Sequence, residues 1–160
     1  MTIAVGDRIP DVELWKVTEE GFAGVRSGTV LGEGKVVLFA VPGAFTPTCS
    51  DYHLPGFVIR ADEIRAKGVD TIACISVNDP FVMGAWARDQ KVPDAVVMLA
   101  DGNGAFTKAV GLEMDGSAVG LGARSQRYAA VIEDGIVTGL FVEPERGLTV
   151  SSAESILSAL

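Results

Sequence analysis

The 160-residue chain predicts an α/β fold, a mixed central sheet with helices on both faces. Three observations predict it. The runs KVVLFAV at 35–41 and DTIACISV at 70–77 are short, apolar and rich in β-branched residues, the composition of strands buried on both sides. Segments of helical spacing separate such runs, the order expected of a sheet covered by helices. Late in the chain, Arg127–Ile132 and Ile136–Val142 flank Asp134-Gly135, a hairpin signal that adds antiparallel strands.

The elements follow in order. After the strand Lys35–Val41 comes PGAFTPTCS, a turn-forming stretch with two prolines and a glycine. Leu54, Phe57, Val58, Ala61 and Ile64 then fall at helical spacing, and Lys67-Gly68 supplies the stop. Pro55 lies inside this pattern and is expected to kink the helix or detach its first turn. Asp70–Val77 is the second strand, closed by the turn Asn78-Asp79-Pro80, and Phe81–Gln90 is a helix with Trp86 on its apolar face. Ala95–Ala100 is the third strand, followed by the loop DGNG and a short helix near Phe106–Val110. The last helix is expected to open on Ser151 and Glu154 at capping-box spacing, with Ile156, Leu157 and Leu160 on the sheet. A thioredoxin-like sandwich satisfies this order. No internal repeat, low-complexity tract or Pro/Ser-rich linker divides the chain, so residues 1–160 are expected to form one domain, long enough to bury roughly 70% of its unfolded surface.

Composition removes several function classes. An apolar fraction of 48% with 21% charge is that of an ordinary globule. The net charge of −8 argues against nucleic acid or an anionic membrane as a general partner. Met1–Pro10 contains Asp7 and Arg8 and lacks the apolar core of a signal peptide, and no apolar run approaches the roughly 18 residues of a membrane span. A cytoplasmic protein is therefore expected. Two cysteines are too few for a disulfide scaffold. One histidine and no CxxC pair leave no four-ligand metal site, and no cofactor is expected. The glycine pairs in LGEGK, DGNG and GLG complete neither GxGxxG nor a P-loop and read as turns.

Chemistry is expected at Cys49. It follows a strand and a turn and lies where a helix should begin, so free backbone N–H groups and the positive end of the helix dipole favour a thiolate there. The Thr46 hydroxyl is placed to donate to the sulfur or to hold a substrate oxygen. Pro42 and Pro47 stiffen the segment. Breaking an O–O bond puts negative charge on the departing oxygen, and that charge needs donors. Candidates are the amides of Thr48 and Cys49 and the guanidinium groups of Arg124 and Arg127, which are expected to share one face of a strand.

PGAFTPTCSDYHLPGF, followed by CISVNDPFVMGAWA, MLADGNGAFTKAVGL and RSQRYA, resembles the type-II peroxiredoxins, the peroxiredoxin-five class. The resemblance covers essentially the whole chain. It implies a thioredoxin-fold thiol peroxidase that reduces hydrogen peroxide and organic hydroperoxides. Cys49 is implied as the peroxidatic cysteine, Thr46 as the hydroxyl that orients peroxide, and Pro42 as a shield of the site. Arg127 is implied to activate the sulfur and stabilise the leaving oxygen, with Arg124 in support. His53, four residues after Cys49, stands where this class often has histidine; a helix-capping or surface role weighs as much as a catalytic one. A homodimer with Phe45 at its interface is also implied. Phe81, Met83 and Trp86 read equally as core or as exposed patch.

The thiol that reduces the oxidised Cys49 is open. Cys74, within an apolar strand, reads as a small hydrophobe, yet plant-like members of the class have a cysteine here with an implied resolving role. Some animal members carry the resolving cysteine in the block before the last helix, where this chain has Val150, so that pairing is excluded. The remaining routes are a Cys49–Cys74 disulfide or direct reduction by glutathione, glutaredoxin or thioredoxin. Two other functions are compatible with a reactive cysteine. A thiol–disulfide oxidoreductase usually needs a CxxC pair, and Ser50-Asp51-Tyr52 follows Cys49 instead. A redox-sensing or chaperone-like protein would use Cys49 oxidation only as a signal.

Overall fold

The apolar run at 35–41 becomes β3 of the sheet because both of its faces have a core to enter. A computed structural model describes residues 1–160. An N-terminal hairpin of β1 (Glu13–Thr18) and β2 (Gly21–Arg26) precedes β3 (Lys35–Val41), β4 (Thr71–Ser76) and β5 (Val96–Ala100). The short strands β6 (Glu113–Asp115) and β7 (Ala123–Ser125) form a separate ribbon, and β8 (Tyr128–Glu133) and β9 (Ile136–Val142) close the chain of strands. The main sheet runs β2-β1-β5-β4-β3-β8-β9, with β3, β4 and β5 parallel and the flanking pairs antiparallel. It is the mixed sheet of the thioredoxin fold.

Along β3, Val37, Phe39 and Val41 enter one core while Val36, Leu38 and Ala40 enter the other. Side-chain alternation within a fully apolar strand therefore feeds two layers at once. Over the first layer lie α2 (Leu54–Ile59), α3 (Ala61–Ala66), α4 (Pro80–Asp89) and α6 (Ala153–Ala159). The second is covered by α1 (Ser27–Val30) and α5 (Ala105–Val110), through Leu31, Phe106 and Val110. Cys74 alternates with Ala73 and Ile75 and so faces the first layer, the layer that also contains Cys49.

Element boundaries shift where a side chain takes over a backbone bond. Asp70 leaves the second strand because its carboxylate accepts from the Lys35 N–H at 2.9 Å. The helix expected at Phe81 starts one residue earlier, at Pro80, since Asp79 caps it by accepting from the Val82 N–H at 2.9 Å. Asp134 at φ 49° and Gly135 at φ 86° make the expected tight hairpin turn. The helix carrying Pro55 departs from expectation. Cys49–His53 forms a π-helical turn in which the Leu54 N–H donates to the Cys49 carbonyl, and α2 then breaks from α3 at Arg60. Pro55 has no N–H for the carbonyl four residues back and its ring would crowd it, so the wider turn lies just where a regular helix would be strained.

The last helix is capped by Ser152, whose Oγ accepts from the Ser155 N–H at 3.1 Å, and not by Ser151. Ser151 is occupied elsewhere: its N–H and Oγ donate to the Glu143 carboxylate at 2.8 and 2.7 Å. The same carboxylate accepts from the Thr149 N–H and Oγ1 and the Val150 N–H at 2.6–3.0 Å. Burial by itself would raise the Glu143 pKa; the hydrogen bonds from Ser151 and Thr149 together outweigh it and hold the carboxyl at about 2, against an ordinary 4.5. The folded state therefore binds this proton less readily than the unfolded chain. Its stabilisation is complete above about pH 4.5 and is lost as pH falls toward 2. We expect Glu143→Gln to lower the thermal midpoint at neutral pH, with the gap to wild type closing through that acid window. A gap independent of pH in a calorimetric series would contradict this assignment.

Candidate active site

Three elements meet at the C-terminal end of β3. The strand ends at Val41, the segment 42–46 turns out of the sheet, and helical backbone begins at Pro47-Thr48, which puts Cys49 in the first turn. Pro42 follows the strand directly and is half-buried. Phe45, exposed beside Thr46, holds φ at 65°, a left-handed conformation that a bulky residue adopts only under constraint from its surroundings. Gly43 permits the close packing of this segment, since a Cβ there would lie 3.2 Å from Thr46 Cγ2 and 3.3 Å from Arg124 Nη1. The Ala44 N–H donates to Asn78 Oδ1 at 3.0 Å, and Asn78 in turn accepts from Ser76 Oγ at 2.6 Å. Asn78 read as a turn residue in the sequence; the structure adds the task of holding the loop.

Cys49 is buried, and its sulfur faces a fixed cation. Arg127 lies just ahead of β8 and donates from Nη2 to Cys49 Sγ at 3.1 Å. Its other terminal nitrogen, Nη1, lies 2.8 Å from His53 Nδ1. Because guanidinium only donates, Nδ1 accepts, and the imidazole proton resides on Nε2. That nitrogen donates to the Ser151 carbonyl at 2.9 Å. His53 is neither surface residue nor helix cap. It is 1% exposed, its ring centroid lies 5.1 Å from Phe39 and 5.6 Å from Phe57, and those two rings stack at 4.0 Å. Burial first, and the Arg127 charge second, push its pKa from 6.5 down to about 3, so it is a neutral acceptor at physiological pH. The sequence marked this histidine but not its role. The usable signal was its position one helical turn past Cys49, on the same side of the helix.

Arg124 and Arg127 do not share a strand face. They are three positions apart, which on one strand would put them on opposite sides; the chain instead divides them between β7 and the approach to β8. The Arg124 guanidinium donates to the carbonyls of Leu121 and Val77 at 2.9 and 3.0 Å. It clamps the ribbon β6–β7 against the segment after β4, beside Gly43, and gives nothing to the sulfur. Thr46 also differs from one of its two expected roles. Its hydroxyl donates to the Gly43 carbonyl at 2.6 Å, so that proton is committed and the oxygen is left as an acceptor. Thr48 is half-buried at the helix start, with no side-chain capping bond.

Cys74 sits in the centre of β4, opposite Phe39 of β3 and Met98 of β5, and is 0% exposed. Burial and, after it, the neighbouring Cys49 push its pKa well up, against the pull of Arg127. Both cysteines are free thiols. Of the apolar candidates, Met83 and Trp86 are core, and Trp86 Nε1 donates to Ser50 Oγ at 3.0 Å beside Cys49. Phe45 and Phe81 are exposed.

Comparison with known proteins places this fold and its cysteine in a family. Residues 4–157 match the redoxin family. The chain is 52% identical to peroxiredoxin-2E, chloroplastic, of Arabidopsis thaliana over 164 residues, covering 99% of this chain and 70% of that one. It is 50% identical to peroxiredoxin-2C of Oryza sativa subsp. japonica over 159 residues, covering 99% and 98%. Its backbone superposes on reduced Prx3 of Vibrio vulnificus in complex with H2O2 with a TM-score of 0.93, at 52% identity and 99% coverage of both chains. The chain therefore belongs to the redoxin family as a peroxiredoxin, a thioredoxin-fold thiol peroxidase.

Proposed function

We propose that Cys49 is the peroxidatic nucleophile and that Thr46 and Arg127 are its two principal partners. The observation that carries this reading is the Arg127 Nη2 to Cys49 Sγ contact of 3.1 Å. A guanidinium there favours negative charge on sulfur and stands ready for the charge that grows on the departing oxygen. Thr46 Oγ1, with its own proton given to Gly43, accepts the peroxide O–H and aligns the O–O bond with the sulfur. The Cys49 thiolate attacks one peroxide oxygen and the O–O bond breaks. The other oxygen leaves as alkoxide or hydroxide and takes a proton, and Cys49 becomes a sulfenic acid. Pro42 shields the sulfur from one side, and Arg124 supports the loop.

For the second half of the cycle, the reading best supported is direct attack on the sulfenic acid by an external thiol: glutathione, glutaredoxin or thioredoxin. Cys74 is held in a central strand between two hydrogen-bonded neighbours, so it cannot move toward Cys49 without opening the sheet. The rival reading, a Cys49–Cys74 disulfide, is favoured by the presence of both side chains in one core layer. It requires the helix at Cys49 to unwind until the two Cα atoms stand within about 7 Å. Thiol reduction places the protein in a reducing compartment, and we take that to be the cytoplasm. The exposed Phe45 and Phe81, with Phe22 edge-on to Phe81 at 5.2 Å, supply an apolar surface suited to a second copy of the chain.

Stopped-flow peroxide consumption with a thiol donor tests the nucleophile. Cys49→Ser should abolish turnover, Arg127→Lys should slow Cys49 oxidation about a hundredfold, and Thr46→Val should slow it more than Thr46→Ser. Full activity in Cys49→Ser would sink the mechanism.

Mass analysis after one equivalent of peroxide tests the reducing half. The external route predicts sulfenic acid without an internal disulfide, and unchanged glutathione- or glutaredoxin-driven turnover in Cys74→Ser. An internal disulfide that disappears with Cys74 would transfer the role to that residue.

Sedimentation velocity tests the interface. Wild type should run as a dimer that Phe45→Asp or Phe81→Asp dissociates; a wild-type monomer at every concentration would rule it out.

A further inference from the structure

The bonds around Arg127 form a closed ring that begins and ends on that residue. The Glu143 N–H donates to the Arg127 carbonyl at 3.0 Å, continuing the β8–β9 ladder by one step. The Glu143 carboxylate then collects the N–H groups of Thr149, Val150 and Ser151 together with two hydroxyls. Ser151, held by its N–H and Oγ, points its carbonyl at His53 Nε2, and His53 Nδ1 receives the guanidinium of Arg127. We propose that Glu143 is a positioning residue for peroxide reduction: by pinning residues 149–151 it sets the His53 tautomer and so the aim of Arg127 at Cys49.

The tautomer is the step that makes the ring directional. With the proton on Nδ1, His53 would turn an N–H toward a guanidinium that only donates, and a lone pair toward the Ser151 carbonyl. Both contacts would be repulsive. A carbonyl fixed opposite Nε2 removes that arrangement, and the Nδ1 lone pair is left for Arg127. Arg127 in turn has one terminal nitrogen on His53 and one on sulfur. A planar guanidinium released from the first contact is free to rotate and no longer holds the second in one orientation. Glu143 touches neither sulfur nor peroxide. It acts at both ends of Arg127, through the main chain directly and through Ser151 and His53 at the side chain. This inference rests on the peroxidase mechanism above.

The test is a double-mutant cycle read by two assays, the rate of Cys49 oxidation by H2O2 and the pH profile of Cys49 alkylation by iodoacetamide. Glu143→Gln turns one acceptor oxygen into an NH2 group that faces N–H donors. It should slow oxidation about tenfold and move the alkylation profile to higher pH. His53→Leu should do the same or more, and His53→Gln, which keeps one acceptor and one donor, should recover most of the loss. If Glu143 acts through His53, the double variant Glu143→Gln/His53→Leu will be no slower than His53→Leu alone. Multiplying losses, or a wild-type profile in Glu143→Gln, would overturn the proposal. Should Glu143→Gln fail to fold, Thr149→Val removes one hydroxyl donor from the carboxylate and must show the same non-additivity with His53→Leu in smaller measure; its absence would count equally against the proposal. Alkylation needs no peroxide, so a protein inert to H2O2 but shifted in alkylation would refute the peroxidase mechanism and leave the ring standing.

Discussion

One constraint organises this molecule: a permanently charged guanidinium must sit beside a buried sulfur and keep a single orientation. Placing a cation there is costly unless its donors are satisfied. Arg127 has no carboxylate in contact; the ion pairs of the chain lie elsewhere, at Arg26 and Arg60. Its partners are the sulfur and a neutral imidazole. A carboxylate in place of His53 would neutralise the cation and weaken its hold on negative charge at sulfur and on the departing oxygen. A neutral acceptor orients it and leaves its charge available. Burial among Phe39 and Phe57 is what keeps the imidazole neutral, so the aromatic packing behind the helix is part of the electrostatics in front of it.

The sheet register supplies the distance. Ala40 of β3 pairs with Tyr128 of β8 in antiparallel register, which brings Arg127 alongside the end of β3 where the Cys49 loop departs. A slip of one residue would send the Arg127 side chain to the opposite face, toward the second core. The same period of two sets Cys74 on the Cys49 side of β4 and Ala73 on the other. Strand alternation thus decides which cysteine shares a layer with the active site, before any chemistry is considered.

Much of this was legible in the chain. The three parallel strands and the terminal hairpin followed from apolar runs and one Asp-Gly pair, signals that are local in sequence. Chemical requirement and family resemblance name Cys49, Thr46 and Arg127 as candidates. The remainder depended on contacts between distant residues. Nothing near Ser151 announces that its N–H and hydroxyl belong to Glu143, so the capping box was read one residue early. The role of His53 was not legible because its polar partners, Arg127 and Ser151, lie far along the chain. Arg124 and Arg127 do not share a face because they belong to β7 and to the approach to β8, three positions apart.

Burial of Cys49 also bears on how reactants would reach it. A sulfur in a residue with 0% exposure admits a molecule the size of a peroxide more readily than the face of a second protein. Cys49 is buried as a member of the first apolar layer, with the Arg127 guanidinium, itself held by His53, on its polar side and a π-helical turn ahead of Pro55 carrying it. A wide turn followed by a residue without an N–H lacks the regular helical bond at that point. On the mechanism proposed above, oxidation of Cys49 to a sulfenic acid adds an oxygen to a buried sulfur that has Arg127 Nη2 at 3.1 Å, so the site must rearrange around the new atom.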